Sequence, residues 1–136
     1  MDIEISKDKS RLDIAYMQAF LTKAYWAKGR TIEEVRVTVE NSVCYAIFLN
    51  NEQIGFARVV TDFTVFAYLM DVFIDEKHRG KSYSTALMDF IMNDHELAKV
   101  KIWRLATTDA AFLYRKFGFT PLKNPEKMME KIVDNK

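Results

Sequence analysis

Apolar residues first recur at helical spacing in Leu12, Ala15, Tyr16, Ala19 and Phe20. Ser10 and Asp13 ahead of them resemble a capping box, so a first helix is predicted to open at Ser10. Gly29 interrupts the chain after Tyr25-Trp26-Ala27-Lys28, and a second helix is predicted from Thr31, with Glu34 three residues on and Ile32, Val35 and Val39 on one side. The period then changes. Residues 43–49 and 54–61 read as strands joined by the hairpin turn Asn50-Asn51-Glu52-Gln53. Residues 66–74 are apolar except for Asp71, the continuity expected of a central strand covered on both faces.

A polar turn over 75–81 leads into a helix with Tyr83, Ala86, Leu87, Phe90 and Ile91 on one face, closed by Asn93-Asp94-His95. Residues 100–107 form a further predicted strand. A short helix follows from Asp109, with Ala110, Leu113, Tyr114 and Phe117 together and Gly118 as its C′ residue. Residues 119–122 and 128–133 are candidates for the last strands. The predicted order is two helices, three strands, then helix, strand, helix and one or two strands, a mixed α+β layout around one sheet.

Composition narrows the class. The 136 residues suit a single domain over 1–136, and 49% hydrophobic, 13% aromatic and 29% charged residues describe a globular chain. A net charge of +1 gives no bulk attraction to nucleic acid or membrane, so neither partner is expected. Cys44 is the only cysteine, which excludes an internal disulfide and, in its apolar run, reads as a buried inert thiol. The start Met1-Asp2-Ile3-Glu4 has no basic or apolar leader character and no stretch approaches the roughly 20 apolar residues of a membrane span. A cytoplasmic location is the expectation. His78 and His95 stand in predicted loops without metal-ligand spacing, so no metal is expected.

The segment after the buried strand carries the strongest chemical signal. In Asp75-Glu76-Lys77-His78-Arg79-Gly80-Lys81-Ser82-Tyr83-Ser84, three cations fall within five residues at the start of a helix. Unpaired N–H groups and the positive end of the macrodipole already favour an anion there. Basic side chains at that position are unfavourable unless an anion is bound; a solvated basic turn is the plainer alternative. Gly80 permits a conformation or a close approach that a side chain would block. A Walker A loop is excluded, because it needs a glycine where Asp75 stands.

Lys77-His78-Arg79-Gly80-Lys81-Ser82 resembles the Gln/Arg-x-x-Gly-x-Gly/Ala signature of the GNAT superfamily of N-acetyltransferases. Leu113-Tyr114-Arg115-Lys116-Phe117-Gly118-Phe119 resembles that family's Leu-Tyr-x-Lys-x-Gly-Phe segment, and Tyr25-Trp26 with Arg30 is similar to a small bacterial branch of it. The resemblance covers nearly the whole chain. It implies a mixed central sheet of six to seven strands with about four helices on its faces. It also implies an acetyl-CoA-dependent N-acetyltransferase without a metal, acting on a small-molecule or peptide amine, with a homodimer as a further possibility. A non-catalytic acyl-CoA-binding or regulatory module on the same fold is the alternative. Ser82 and Ser84 stand where the family commonly has glycine, and Asp109 where many members have asparagine.

By the same resemblance, Lys77, His78, Arg79, Gly80, Lys81, Ser82, Tyr83 and Ser84 would hold the CoA pyrophosphate. Val72, Phe73 and Ile74 would pair with the pantetheine arm, an N–H near Phe73 would face the developing oxyanion, and Asp109 would line the cofactor. Tyr114 would give a proton to the departing thiolate; without the resemblance it is a core aromatic beside Leu113 and Phe117. Asp71 would bind a cationic amine or accept its proton, or else be a strand-end acid facing solvent or paired with Arg58. Tyr25, Trp26 and Arg30 would border the acceptor, suited to one with a carboxylate or a flat apolar part, and packing is the other role for the Tyr-Trp pair.

Overall fold

Alternation of apolar side chains above and below the strands divides the core into two main layers. The computed structural model describes residues 2–24 and 28–133. Five strands form one mixed sheet in chain order: β1 (Ile3–Ser6), β2 (Val43–Leu49), β3 (Glu52–Thr61), β4 (Phe66–Ile74) and β5 (Ile102–Arg104). The first four pair antiparallel, and β5 joins β4 parallel. Helices α1 (Ile14–Leu21) and α2 (Ile32–Glu40) cover one face, where Met17, Leu21, Val35 and Val39 meet Cys44, Phe56 and Phe73. Helices α3 (Tyr83–Met92) and α4 (Ala111–Arg115) cover the other, where Leu87, Met88, Ile91 and Leu113 meet Tyr45, Ala57, Val59 and Leu69.

The expected α+β class and four helices are present, but the described residues contain five strands rather than six to seven. The segments 119–122 and 128–133 do not pair with the sheet. Pro121 interrupts the first, and Pro125 opens a short 3-10 turn just ahead of the second. Residues 100–107 yield only the three paired positions of β5. At the other end, Ile3–Ser6 is a strand that the sequence reading did not foresee, laid against β2 with Ile5 opposite Ile47. The first helix also begins later than expected. Asp8 caps a 3-10 turn over Lys9–Arg11, and Asp13 is the N-cap of α1, accepting from the Tyr16 N–H at 3.0 Å. The expected start of α2 at Thr31 is present and is closed by a capping box, with Thr31 and Glu34 each accepting the other's backbone N–H.

The hairpin between β2 and β3 is tighter than the predicted four residues. Asn50 and Asn51 lie at φ +52° and +66°, the left-handed region that asparagine tolerates, and β3 starts at Glu52. Two features of β3 and β4 shape the site. Opposite Gly55 the neighbouring strands close in: an added Cβ would stand 2.7 Å from the Phe73 carbonyl oxygen and equally near Ile47 and Ile74. Further along, the β3–β4 register slips, with Phe56 opposite Phe73 but Arg58 opposite Met70. The extra residue on β4 is a bulge, and Asp71 takes φ +54° within it. It reverses the side-chain alternation, so that Leu69 packs toward α3 while Phe73 packs toward α1 and α2.

Candidate active site

Parallel pairing of β4 with β5 extends only from Phe66 opposite Ile102 to Tyr68 opposite Arg104. Beyond that point the strands part, and a cleft of about 440 Å³ opens between them. Its walls include Tyr68–Ile74 of β4, Leu105, Ala106 and Thr107 after β5, Phe20 of α1, Ser84 of α3, and Leu113 and Tyr114 of α4. The cleft therefore draws on both helical layers. A second hollow of about 370 Å³ adjoins it, sharing Ile74, Arg79, Ser84, Ala110 and Leu113, and is lined further by His78, Gly80, Ser82, Tyr83 and Lys116.

The turn into α3 has the features of an anion cradle. Among the described residues nothing accepts from the N–H groups of 80–85, and the first bonded one is Ala86, to the Ser82 carbonyl at 3.1 Å. Ser82 stands at the N-cap without a side-chain bond to the helix. It adopts φ +64°, a conformation that glycine takes freely and serine takes under strain. Gly80 lies at φ +78° with open space where a Cβ would be, so its requirement is conformational rather than steric. Upstream, Asp75 organises the turn: it accepts from the Lys77 N–H at 2.9 Å and contacts His78 Nδ1 at 3.2 Å. Arg79 Nε donates to the Ile74 carbonyl at 3.0 Å, fastening the cation to the end of β4.

Most expected site residues converge on these hollows. Asp71, Val72, Phe73, Ile74, Arg79, Ser84, Asp109 and Tyr114 line the cleft, while His78, Gly80, Ser82 and Tyr83 line the adjoining hollow. Lys77 and Lys81 are exposed beside the turn and line neither. Tyr25 and Trp26 lie outside the described residues. Unforeseen were Phe20, whose ring stacks on Phe73 at 4.0 Å, and Lys116, which brings a cation from α4 to the α3 turn. Phe20 was legible only as one of a helical apolar stripe, which marks a core residue and a cleft wall alike.

Tyr114 is buried among Leu113 and the core, with Phe119 edge-on at 6.1 Å. Its hydroxyl takes no hydrogen bond from the described residues, yet it is not a sealed unpaired group, so it faces the cleft. Burial, helped by the negative charge of Asp109, pushes its pKa up to about 12. The phenol therefore keeps its proton at neutral pH and is available as a donor.

Asp71 has a different environment. Its Oδ2 accepts from Arg58 Nε at 2.6 Å and from Arg30 Nη1 at 2.7 Å. Burial favours the protonated acid, but the two guanidiniums outweigh it and hold the carboxyl below its ordinary range. A carboxylate so bound is a weak proton acceptor. The geometry favours the ion pair with Arg58 over a solvent-facing acid, and adds Arg30 as a second partner.

Among the described residues no group of histidine, cysteine and acidic side chains has metal-binding geometry, and no helix is long and apolar enough to cross a membrane.

The acetyltransferase (GNAT) domain profile matches residues 40–121. A Xanthomonas campestris pv. campestris protein assigned to the GNAT acetyltransferases is similar over 98% of this chain and 94% of its own, at 40% identity and a TM-score of 0.94. A Staphylococcus aureus protein of unknown function, assigned as an acetyltransferase, is similar over 98% of this chain and 100% of its own, at 20% identity and a TM-score of 0.80. A Clostridium acetobutylicum protein assigned as an acetyltransferase and solved with acetyl-CoA aligns over 96% of each chain, at 16% identity and a TM-score of 0.69. The last two likenesses are of fold. No curated protein matches the sequence significantly.

Proposed function

Because the chain belongs to the GNAT family of acetyltransferases, we propose that it moves an acetyl group from acetyl-CoA directly to a primary amine of a small molecule or peptide. The observation that carries this reading is the cleft between β4 and β5, which runs from the unpaired N–H groups of the α3 turn to the Tyr114 hydroxyl. Each end supplies a part of the chemistry.

At the α3 end, the N–H groups of 80–85 and the Arg79 guanidinium would hold the pyrophosphate of acetyl-CoA, with Lys77, Lys81 and Lys116 adding positive charge. His78, Tyr83 and Ser84 wall that hollow. Among the described residues no strand pairs with β4 on its β5 side from Leu69 onward, so Val72, Phe73 and Ile74 would offer backbone groups to the pantetheine amides. An N–H near Phe73 would face the thioester oxygen as charge develops there. Tyr114 would hold the proton that the thiolate takes on leaving, with Asp109 beside it keeping the phenol protonated. Arg30, together with Tyr25 and Trp26, would border the acceptor. Asp71 serves this end by orienting Arg30 rather than by taking a proton, since two guanidiniums occupy its oxygen.

The protein is proposed to act in the cytoplasm, without metal, and as a homodimer. The last point is supported by the C-terminal segment, where Met129 is 94% exposed and Ile132 80% exposed in a chain otherwise well packed. Acetyl-CoA consumption over a panel of amines, with the shift in melting temperature by CoA as a control, tests the central claim. Turnover on at least one amine is the expected result. A CoA shift without turnover on any amine would instead favour an acyl-CoA-binding module, the reading to which the strain at Ser82 lends some weight. No shift at all would remove both.

A further inference from the structure

Arg30, Asp71 and Arg58 form a secluded ion cluster with one positive charge in excess. The Asp71 side chain is 1% exposed, that of Arg58 8% and that of Arg30 16%. Both guanidiniums use the same carboxylate oxygen. Arg58 is satisfied further inside the protein, since its Nη1 donates to Ser42 Oγ at 3.1 Å. Arg30 is not. One of its nitrogens holds Asp71, while the others find no acceptor among the described residues and are not sealed away from solvent.

Two cations on one carboxylate leave a positive charge at the rim of the cluster, where a guanidinium with little water around it favours an anionic partner. Glu34, a further carboxylate that feels Arg30, is exposed and committed to the Thr31 N–H in the capping box. The backbone of Arg30 is also fixed on its C-terminal side. Gln18 Nε2 donates to its carbonyl at 2.9 Å, and the next residue caps α2. Beneath it, Asp71 occupies a left-handed conformation in the β4 bulge, the sort of strain that persists where the surroundings enforce it. The cleft passes Asp71 and Phe20 on this α1 side, opposite the α3 turn.

We infer that Arg30 receives an anionic group of the acceptor, so that the substrate is a small amine carrying a carboxylate or a phosphate close to its amino group. The inference rests on the acetyl-transfer reading and adds what the amine must carry. A guanidinium offers paired N–H donors that match either oxyanion, and an acceptor of this kind completes the charge of the cluster. The stacked rings of Phe20 and Phe73 line the same cleft as Asp71, the carboxylate that Arg30 holds. Asp71 is then a positioning residue: it fixes the fork of Arg30 and leaves the outward N–H groups for the ligand.

The test uses matched acceptors that differ only in the anion, such as tyrosine against tyramine and phosphoethanolamine against ethanolamine. Acetyl transfer is measured for each, and calorimetry measures the binding of each to the protein–CoA complex. At least one anionic member should exceed its neutral counterpart by about a hundredfold in kcat/KM. Arg30→Gln should erase that preference, mainly through KM, and Arg30→Lys should keep part of it by keeping the charge without the fork. Both variants should retain the CoA melting shift, which shows that they fold. Equal use of both members of every pair, or an undiminished preference in Arg30→Gln, overturns the inference while leaving acetyl transfer standing. Selective binding of the anionic member through Arg30 without turnover would do the reverse.

Discussion

Arg58 Nε donates to Asp71 Oδ2 at 2.6 Å with both side chains withdrawn from solvent, fastening β3 to the bulge of β4. Removing one partner of a buried pair costs about 3–5 kcal/mol, because the other is left unpaired. Asp71→Asn should therefore unfold at markedly lower urea concentration. The pH dependence has a definite sign. The folded carboxyl titrates below its ordinary value of 3.8, so its contribution is complete above that value and is lost as pH falls through the lower folded one. Stability of the parent should thus decline below about pH 4 by a step that Asp71→Asn lacks. An identical acid profile for both would mean that the pair contributes nothing.

Tyr114→Phe should lower turnover about tenfold or more while acetyl-CoA binding is unchanged, since only the hydroxyl is removed. With the phenol pushed up to about 12, an alkaline limb in the rate profile below roughly pH 11 cannot come from Tyr114. Steady-state rates from pH 6 to 10 check both points. Full activity in the phenylalanine variant would leave Tyr114 as a packing residue only.

Ser82→Gly is expected to raise stability and to leave CoA affinity nearly unchanged. The left-handed conformation costs a residue with a Cβ about 1–2 kcal/mol, of which the greater freedom of unfolded glycine returns about 0.5–1 kcal/mol. The net gain in stability should be about 1 kcal/mol or less, visible as a small rise in melting temperature. A calorimetric titration with CoA should show little change, because the strain belongs to the folded chain with or without the ligand. Weaker binding would show that the serine hydroxyl itself contacts the ligand.

Gly55→Ala should destabilise by about 2 kcal/mol or more, since the new methyl meets a backbone oxygen that can move only with β4. The displaced atoms belong to Phe73 and Ile74, which line the cleft, so CoA affinity should fall in the fraction that folds. Chemical denaturation and a thermal shift with CoA separate the two effects. A variant as stable as the parent would mean that the strands spread at little cost.

What could be read from the sequence was what local pattern enforces. The helix start at Thr31, the apolar run of β4 and the helical stripe of α3 each specify themselves, and all three are present. The α3 turn was legible because cations at a helix start are unfavourable without an anion. Features that depend on distant partners were not. Strand β1 is four residues long and exists through its pairing with β2, whereas 119–122 and 128–133 stay unpaired although β1 and β5 are edge strands. Asp13 and Ser10 are both good caps, and only the earlier turn anchored by Asp8 decides between them. The same holds for Arg30, whose partner Asp71 lies 41 residues further along the chain.

The separation of β4 from β5 has a kinetic consequence. In the proposed reaction the donor would enter past Ser84 and Tyr114 and the acceptor past Phe20, from opposite layers, so that neither would have to leave before the other arrives. Initial-velocity lines for the two substrates should intersect, and free CoA should compete with acetyl-CoA but not with the amine. Parallel lines would require the acetyl group to rest on the protein between two half-reactions. The only thiol, Cys44, is ill suited to that, being buried under α2 with its pKa raised by burial to about 11.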